Sequence, residues 1–126
     1  MEQQYTDEFT ISRKDWLRGH GTKTSSLFRS YDDMKCCLGF YSLHLGISEQ
    51  EILNVSSPGR LKTSGVCVPP SMIWLIDPPA ENCLGNSRIC QDLMSTNDST
   101  EMKDPKREER IAEIFAERGI KVNFID

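Results

Sequence analysis

The chain has 126 residues, 37% of them hydrophobic and 27% charged, which suits one folded domain with an ordinary core and excludes a low-complexity or disordered polymer. A formal charge of -4 and a pI near 5.2 exclude the basic excess of a general nucleic-acid binder, and the acidic excess is too small for a DNA mimic. Its five cysteines (Cys36, Cys37, Cys67, Cys83, Cys90) form no Cys-x-x-Cys pair, so the spacing offers no zinc ligand set and the thiols read as free, buried small hydrophobes.

The opening Met1 to Glu8 is polar and acidic, without an apolar run of signal-peptide or membrane-span length, so a cytoplasmic protein with no membrane partner is expected. Phe9-Thr10-Ile11 alternates and reads as a short strand. Ser12 can cap a short helix from Arg13 to Arg18 that turns Trp16 and Leu17 inward, and Gly19-His20-Gly21 reads as a turn. A second strand is expected from Ser25 to Ser30, around Leu27 and Phe28. Arg13, Lys14, Arg18, Lys23 and Arg29 fall in this one stretch, opposed only by Asp15. Such a basic island is either a solvated face or a phosphate contact, with Trp16 or Tyr31 available to stack on a base.

From Cys36 to Leu45 the residues are apolar almost all round a helical wheel, which predicts a buried central helix. An aspartate of Tyr31-Asp32-Asp33 can cap its start, and Gly46 suits the left-handed position after its end, with Ile47 folding back. Gly39 inside it costs about 1 kcal/mol against alanine, so close approach of another backbone is expected there. Ser48-Glu49-Gln50-Glu51 is a capping box opening a short helix that buries Ile52 and Leu53, with Val55 at its margin. The two helices have a helix-turn-helix outline, but nothing basic lines the second, which argues against DNA reading.

Residues 56–82 are punctuated by Pro58, Gly59, Gly65, Pro69-Pro70 and Pro78-Pro79, which exclude a long regular element. Within them Met72 to Ile76 is either a segment tucked onto the core or an exposed apolar contact for a partner. Asn86 or Ser87 can start a helix carrying Ile89, Cys90, Leu93 and Met94 and ending near Thr96. Asn97-Asp98 then reads as a polar turn, or as a carboxamide and carboxylate that hold a ligand amine or hydroxyl. Asp104 caps the last helix and Pro105 takes its first position. Ile111, Ile114, Phe115 and the stem of Arg118 share its inner side, whereas Glu108, Glu109, Arg110, Glu113 and Glu117 form the solvated face. Gly119 ends it, and Ile120 to Ile125 alternates as a strand with Ile120, Val122 and Phe124 inward.

The expected architecture is one α+β domain over residues 1–126, with an irregular Pro/Gly-rich segment at 56–82. A small antiparallel sheet from Phe9–Ile11, Ser25–Phe28 and Ile120–Ile125 packs on the central helix and on the C-terminal amphipathic helix.

Taken in order, Cys36-Cys37-Leu38-Gly39-Phe40, Leu93-Met94 before Asn97-Asp98, Arg107-Glu108-Glu109 with Ile111 and Phe115, and Gly119-Ile120 with Val122 to Asp126 resemble a group of small uncharacterised phage and bacterial proteins. The likeness extends to Ile11 through Gly19 and skips the proline-rich middle. It implies a small phage accessory protein in the cytosol of a bacterial host, one that inhibits a host defence component or sequesters a nucleotide signal, and it supplies no catalytic residue.

The sequence therefore reads as a binding protein without cofactor or metal, for a host protein or an anionic, nucleotide-type small molecule; a homo-oligomer is allowed. Its candidate ligand contacts are Arg13, Trp16, Arg18, Lys23, Arg29, Asn97 and Asp98. One alternative is a virion or complex assembly protein that uses Met72 to Ile76 as its contact. Another is a cysteine-dependent hydrolase with Cys36 or Cys37 as nucleophile and His44 or His20 as base. Against the second, His44 lies two turns along the helix from Cys37, and the helix reads as buried.

Overall fold

A computed structural model describes residues 5–19, 26–30, 32–76 and 86–126. The apolar run becomes helix α1 (Cys37–His44), and its burial is near total along Cys37, Leu38, Gly39, Tyr41 and Ser42. Strand β1 (Asp7–Ser12) precedes it, and α2 (Glu49–Ile52), α3 (Pro58–Thr63), α4 (Arg88–Asp98), α5 (Asp104–Ala116) and β2 (Ile120–Ile125) follow. Short 3-10 turns occupy Arg13–Asp15, where a helix to Arg18 was expected, and Pro70–Leu75. Helix α1 packs on β1, α2 and α4, while α5 packs on α4 and β2.

The fold is mixed α and β, as expected, but the sheet is not antiparallel. It has two strands, β1 and β2, which run parallel with Asp7 opposite Ile120 and Ser12 opposite Ile125. Parallel partners need a long crossover, and here helices α1 to α5 lie between them. The strand expected around Leu27 and Phe28 is missing from residues 26–30, and its backbone shows why. Leu27 N–H donates to the Val55 carbonyl, Asn54 N–H to the Phe28 carbonyl, and Cys36 N–H to the Ser26 carbonyl. Bonded to the loop after α2 and to the start of α1, the segment makes only an isolated bridge between Phe28 and Leu53.

Gly39 meets the backbone of this segment. A Cβ there would stand 1.8 Å from the Leu27 carbonyl oxygen, so the mid-helix glycine is required by close approach. At the other end of α1, Gly46 has φ +96° and Ile47 N–H bonds back to the Ser42 carbonyl, as the sequence predicts. The capping box also forms, with Glu51 N–H on Ser48 Oγ and Ser48 N–H on the Glu51 carboxylate. Leu53, however, is exposed.

Three helix boundaries differ from the sequence reading. Helix α1 takes no cap from Asp32 or Asp33; its N-cap position is Cys36, and the Cys37 N–H is satisfied by the Asn97 side chain, 3.0 Å away. Helix α4 runs through Asn97 and Asp98, so this pair is its last turn and not a loop. Helix α5 begins at Asp104 itself, with Lys103 at the cap position.

The core gathers Phe9 and Ile11 of β1, Leu38 and Tyr41 of α1, Cys90 and Leu93 of α4, Ile111 and Phe115 of α5, and Ile120 of β2. Phe9, Tyr41 and Phe115 meet with ring centroids 5.0–5.2 Å apart. Met72 and Leu75 are buried in the same core, so the 3-10 turn at Pro70–Leu75 is tucked in, and Ile76 after it is buried too. Among the described residues no helix is long and apolar enough to cross a membrane.

Candidate functional site

The structure gives each described member of the basic island an internal partner or leaves it at the surface. Arg13 Nε and Nη2 donate to the two carboxylate oxygens of Glu108 at 2.7 and 2.8 Å, a bidentate pair, and Nη1 reaches Asp126 at 3.4 Å. Glu108 is thus a partner of Arg13 and not part of the solvated face. Arg18 pairs with Asp104 at 3.0 Å, donates to the carbonyls of Arg13 and Trp16, and lies 4.4 Å over the Trp16 ring. Arg29 pairs with Asp32 at 2.7 Å, while Lys14 is exposed. Lys23, Tyr31, His20 and Cys83 lie outside the described residues.

Trp16 is 1% exposed, so it has no face to offer a base. Its indole N–H donates to Asn97 Oδ1 at 2.8 Å. Asn97 is itself fully buried, accepts from Cys37 N–H with the same oxygen, and donates from Nδ2 to the Leu17 carbonyl and to Asp98. The candidate pair Asn97-Asp98 therefore ties α4 to α1 and to the segment after β1. Sequence reasoning brought Trp16 and Asn97 forward as ligand contacts; the fold joins them to each other.

Arg107, which periodicity did not single out, sits 3% exposed beneath the end of α4. Its guanidinium donates to the carbonyls of Thr96, Asn97, Ser99 and Met102 and to the Asp104 carboxylate. It satisfies carbonyls that the helix end leaves without partners.

Cys67 is exposed, against the expectation of buried thiols, whereas the buried thiols of Cys37 and Cys90 offer little chemistry. Cys37 is fully buried and its pKa is pushed well above the ordinary thiol value, first by desolvation and then by Cys36 nearby. Burial likewise pushes Cys90 up to about 12. A thiol held protonated is a poor nucleophile. His44 Nε2 lies 2.9 and 3.0 Å from the two oxygens of Asp7, so the available base is engaged with a carboxylate. Among the described residues no group of three His, Cys, Asp or Glu side chains is placed to hold a metal.

A different part of the molecule is concave. Between the start of β1, the 3-10 turn at Pro70–Leu75 and the α5–β2 junction lies a cleft of about 460 Å³, lined by Thr6, Asp7, Tyr41, Ile73, Trp74 and Arg118 among others. That volume falls within the roughly 300–1,000 Å³ range of small-molecule sites. The Arg118 guanidinium lies 5.3 Å over the Trp74 ring. Trp74 is braced edge-to-face by Phe115 at 5.5 Å and by Tyr41 at 5.9 Å, and its indole N–H donates to the Tyr41 hydroxyl at 3.3 Å. That hydroxyl donates in turn to the Ser71 carbonyl at 3.1 Å. Burial raises the Tyr41 pKa above the usual phenol value, so it stays a neutral donor near pH 7.

This arrangement can bind a small molecule. The Thr6 hydroxyl is bonded to the Gly119 carbonyl and the Tyr41 hydroxyl to Ser71, so neither is paired with a base. On the rim Ile73 is 46% exposed. One exposed isoleucine beside a half-buried tryptophan is far short of the ~800 Å² per partner of a standard interface, which weighs against Met72 to Ile76 as an assembly contact. The only sequence signal for the cleft was Trp74 inside an irregular segment; Asp7, Tyr41 and Arg118 come to it from distant parts of the chain. Comparison with protein-family models, curated proteins and solved structures found no match.

Proposed function

We propose that the chain is a non-catalytic binding protein for a small molecule with an anionic group, held in the cleft beside Trp74. The observation that carries this reading is Arg118. Arg13, Arg18, Arg29, Arg107 and Arg110 each pair with a carboxylate of the chain, and of the exposed Arg88 and Arg118, which pair with none among the described residues, only Arg118 lines the cleft. Arg118 is exposed, lines the cleft and lies on an aromatic ring, with no carboxylate in ion-pair range among the described residues. A guanidinium stacked on an indole is oriented in advance and keeps its N–H edge for a phosphate or carboxylate. The resemblance to small phage accessory proteins supports a ligand from a bacterial host, with its removal serving counter-defence or regulation.

Isothermal titration with inorganic phosphate, nucleoside monophosphates, cyclic nucleotides, small carboxylates and L-amino acids tests the reading. Saturable binding of at least one of these is expected, weakened at least tenfold by Arg118→Gln and unchanged by Lys14→Gln. Binding lost in Lys14→Gln but kept in Arg118→Gln would return the site to the N-terminal cations, and no binding of any probe would end the proposal.

A further inference from the structure

Asp7 and Arg118 are brought to one recess by the strand pairing. Asp7 opens β1 and lies opposite Ile120, the first residue of β2, and Arg118 stands just before that strand. Both line the cleft, yet they form no ion pair with each other: Asp7 is bonded to His44 and to Glu8 N–H, and Arg118 rests on Trp74. A carboxylate and a guanidinium thus share one cleft while each keeps capacity for an outside partner.

We infer that the ligand is zwitterionic, an amino-acid-type molecule whose carboxylate is bonded by Arg118 and whose protonated amine is bonded by Asp7; this rests on the cleft being the binding site proposed above. A ligand with only an anionic group would enter beside the Asp7 carboxylate and meet its repulsion. It would also strip water from Asp7 without giving it a new partner. A protonated amine corrects both, and near the half-buried Trp74 ring it gains cation–π attraction. His44 approaches both Asp7 oxygens through one nitrogen, Nε2, so the carboxylate keeps acceptor positions for an amine. Ile73, Trp74 and Ile120 also line the cleft and make part of its wall apolar, which favours an apolar or aromatic side chain.

The full chain, labelled with nitrogen-15, reports binding at the Trp74 indole N–H, which Trp74→Phe identifies against the second tryptophan. The probes are a panel of the standard L-amino acids and, for L-phenylalanine, its N-acetyl form and 3-phenylpropionate, which keep the carboxylate and lack the charged amine. Expected is a saturable shift with an apolar or aromatic amino acid, at least tenfold weaker for the probes without an amine. Asp7→Asn, checked for an unchanged unfolding midpoint, should bring the free amino acid down to their level. The comparison of free and N-acetylated ligand on the unaltered chain needs no variant. Equal affinity for the two would overturn the zwitterion while leaving an anion-binding cleft. No shift with any amino acid, where phosphate or a nucleotide does bind, would do the same. Silence toward every probe would remove both readings.

Discussion

At the scale of single residues, the interior is held by two positions with no room for change. Asn97 satisfies the Trp16 indole N–H, the Cys37 N–H and the Leu17 carbonyl at 2.8, 3.0 and 2.9 Å. Asn97→Ala would leave two donors and an acceptor buried without partners, at about 1–3 kcal/mol each. A total loss of about 3–5 kcal/mol is expected in urea unfolding, a large part of the roughly 5–15 kcal/mol that stabilises a domain. Gly39→Ala is a sharper case, because helix propensity predicts a gain of about 1 kcal/mol. The added Cβ would fall 1.8 Å from a backbone oxygen that is tied down through its own segment, so the outcome is destabilisation by more than about 3 kcal/mol, or failure to fold. A melting temperature equal to that of the parent chain would contradict the close approach of Leu27 to α1.

At the scale of elements, α4 and α5 are joined through arginine. Arg107 binds four carbonyls around the end of α4 from a nearly closed position, and its planar fork is what allows several bonds at once. Arg107→Lys keeps the charge but cannot reach the same set, so it is expected to cost about 2–4 kcal/mol in chemical denaturation, close to the cost of Arg107→Met. Asp104 closes this corner between Arg18 and Arg107, and hydrogen bonding from Arg18, then from Arg107, holds its pKa below the ordinary carboxylate value. A folded-state pKa below the unfolded one contributes stability that is present above the unfolded pKa and is lost as pH falls through the folded pKa. Asp104→Asn should therefore lower stability near pH 7 and flatten the acid side of the stability profile, and the difference from the parent should shrink toward pH 3. Thermal unfolding across that range measures it; a difference independent of pH would mean that the carboxylate's charge is not what holds the corner.

What was legible in the sequence at this scale was local. The all-round apolar helix, the glycine after it, the Ser48–Glu51 box and the Gly119 turn all depend on residues a few positions apart, and all formed. Asn97 was misread as part of a turn because the groups that hold it lie 60 to 81 positions away, where no spacing rule reaches. The basic island was legible as a cluster of charge, but its acids at Asp104, Glu108 and Asp126 come from the other end of the chain. Of the cleft only Trp74 stood out in the sequence, since Asp7, Tyr41, Trp74 and Arg118 belong to separate elements that meet only in the folded molecule.

At the scale of the whole molecule, the fold is closed by its two ends. Every backbone bond between β1 and β2 joins the first part of the chain to the last, and the pair places Phe9, Ile11 and Ile120 in the same core as α1. Phe124 extends that contact to the Trp16 ring at 5.3 Å. The helices alone do not cover this core, because α1 is apolar round its circumference and needs β1 on one side as well as α4 on another. Loss of β2 would strip β1 of its ladder and expose Phe9, Phe115 and Tyr41, side chains worth about 1.5–3 kcal/mol each for complete burial of an apolar residue. Deleting residues 120–126 is therefore expected to unfold the molecule as a unit, with loss of dispersed amide signals in NMR and of any cooperative thermal transition. Pairing across so long a stretch also predicts slow refolding of the intact chain, in the range of milliseconds to seconds and not the microseconds of small helical bundles, which stopped-flow fluorescence of Trp16 can follow. A truncated chain that still melts cooperatively would show that the helices form a core without the strands, and the cleft at the α5–β2 junction would then be an addition to the fold rather than a product of its closure.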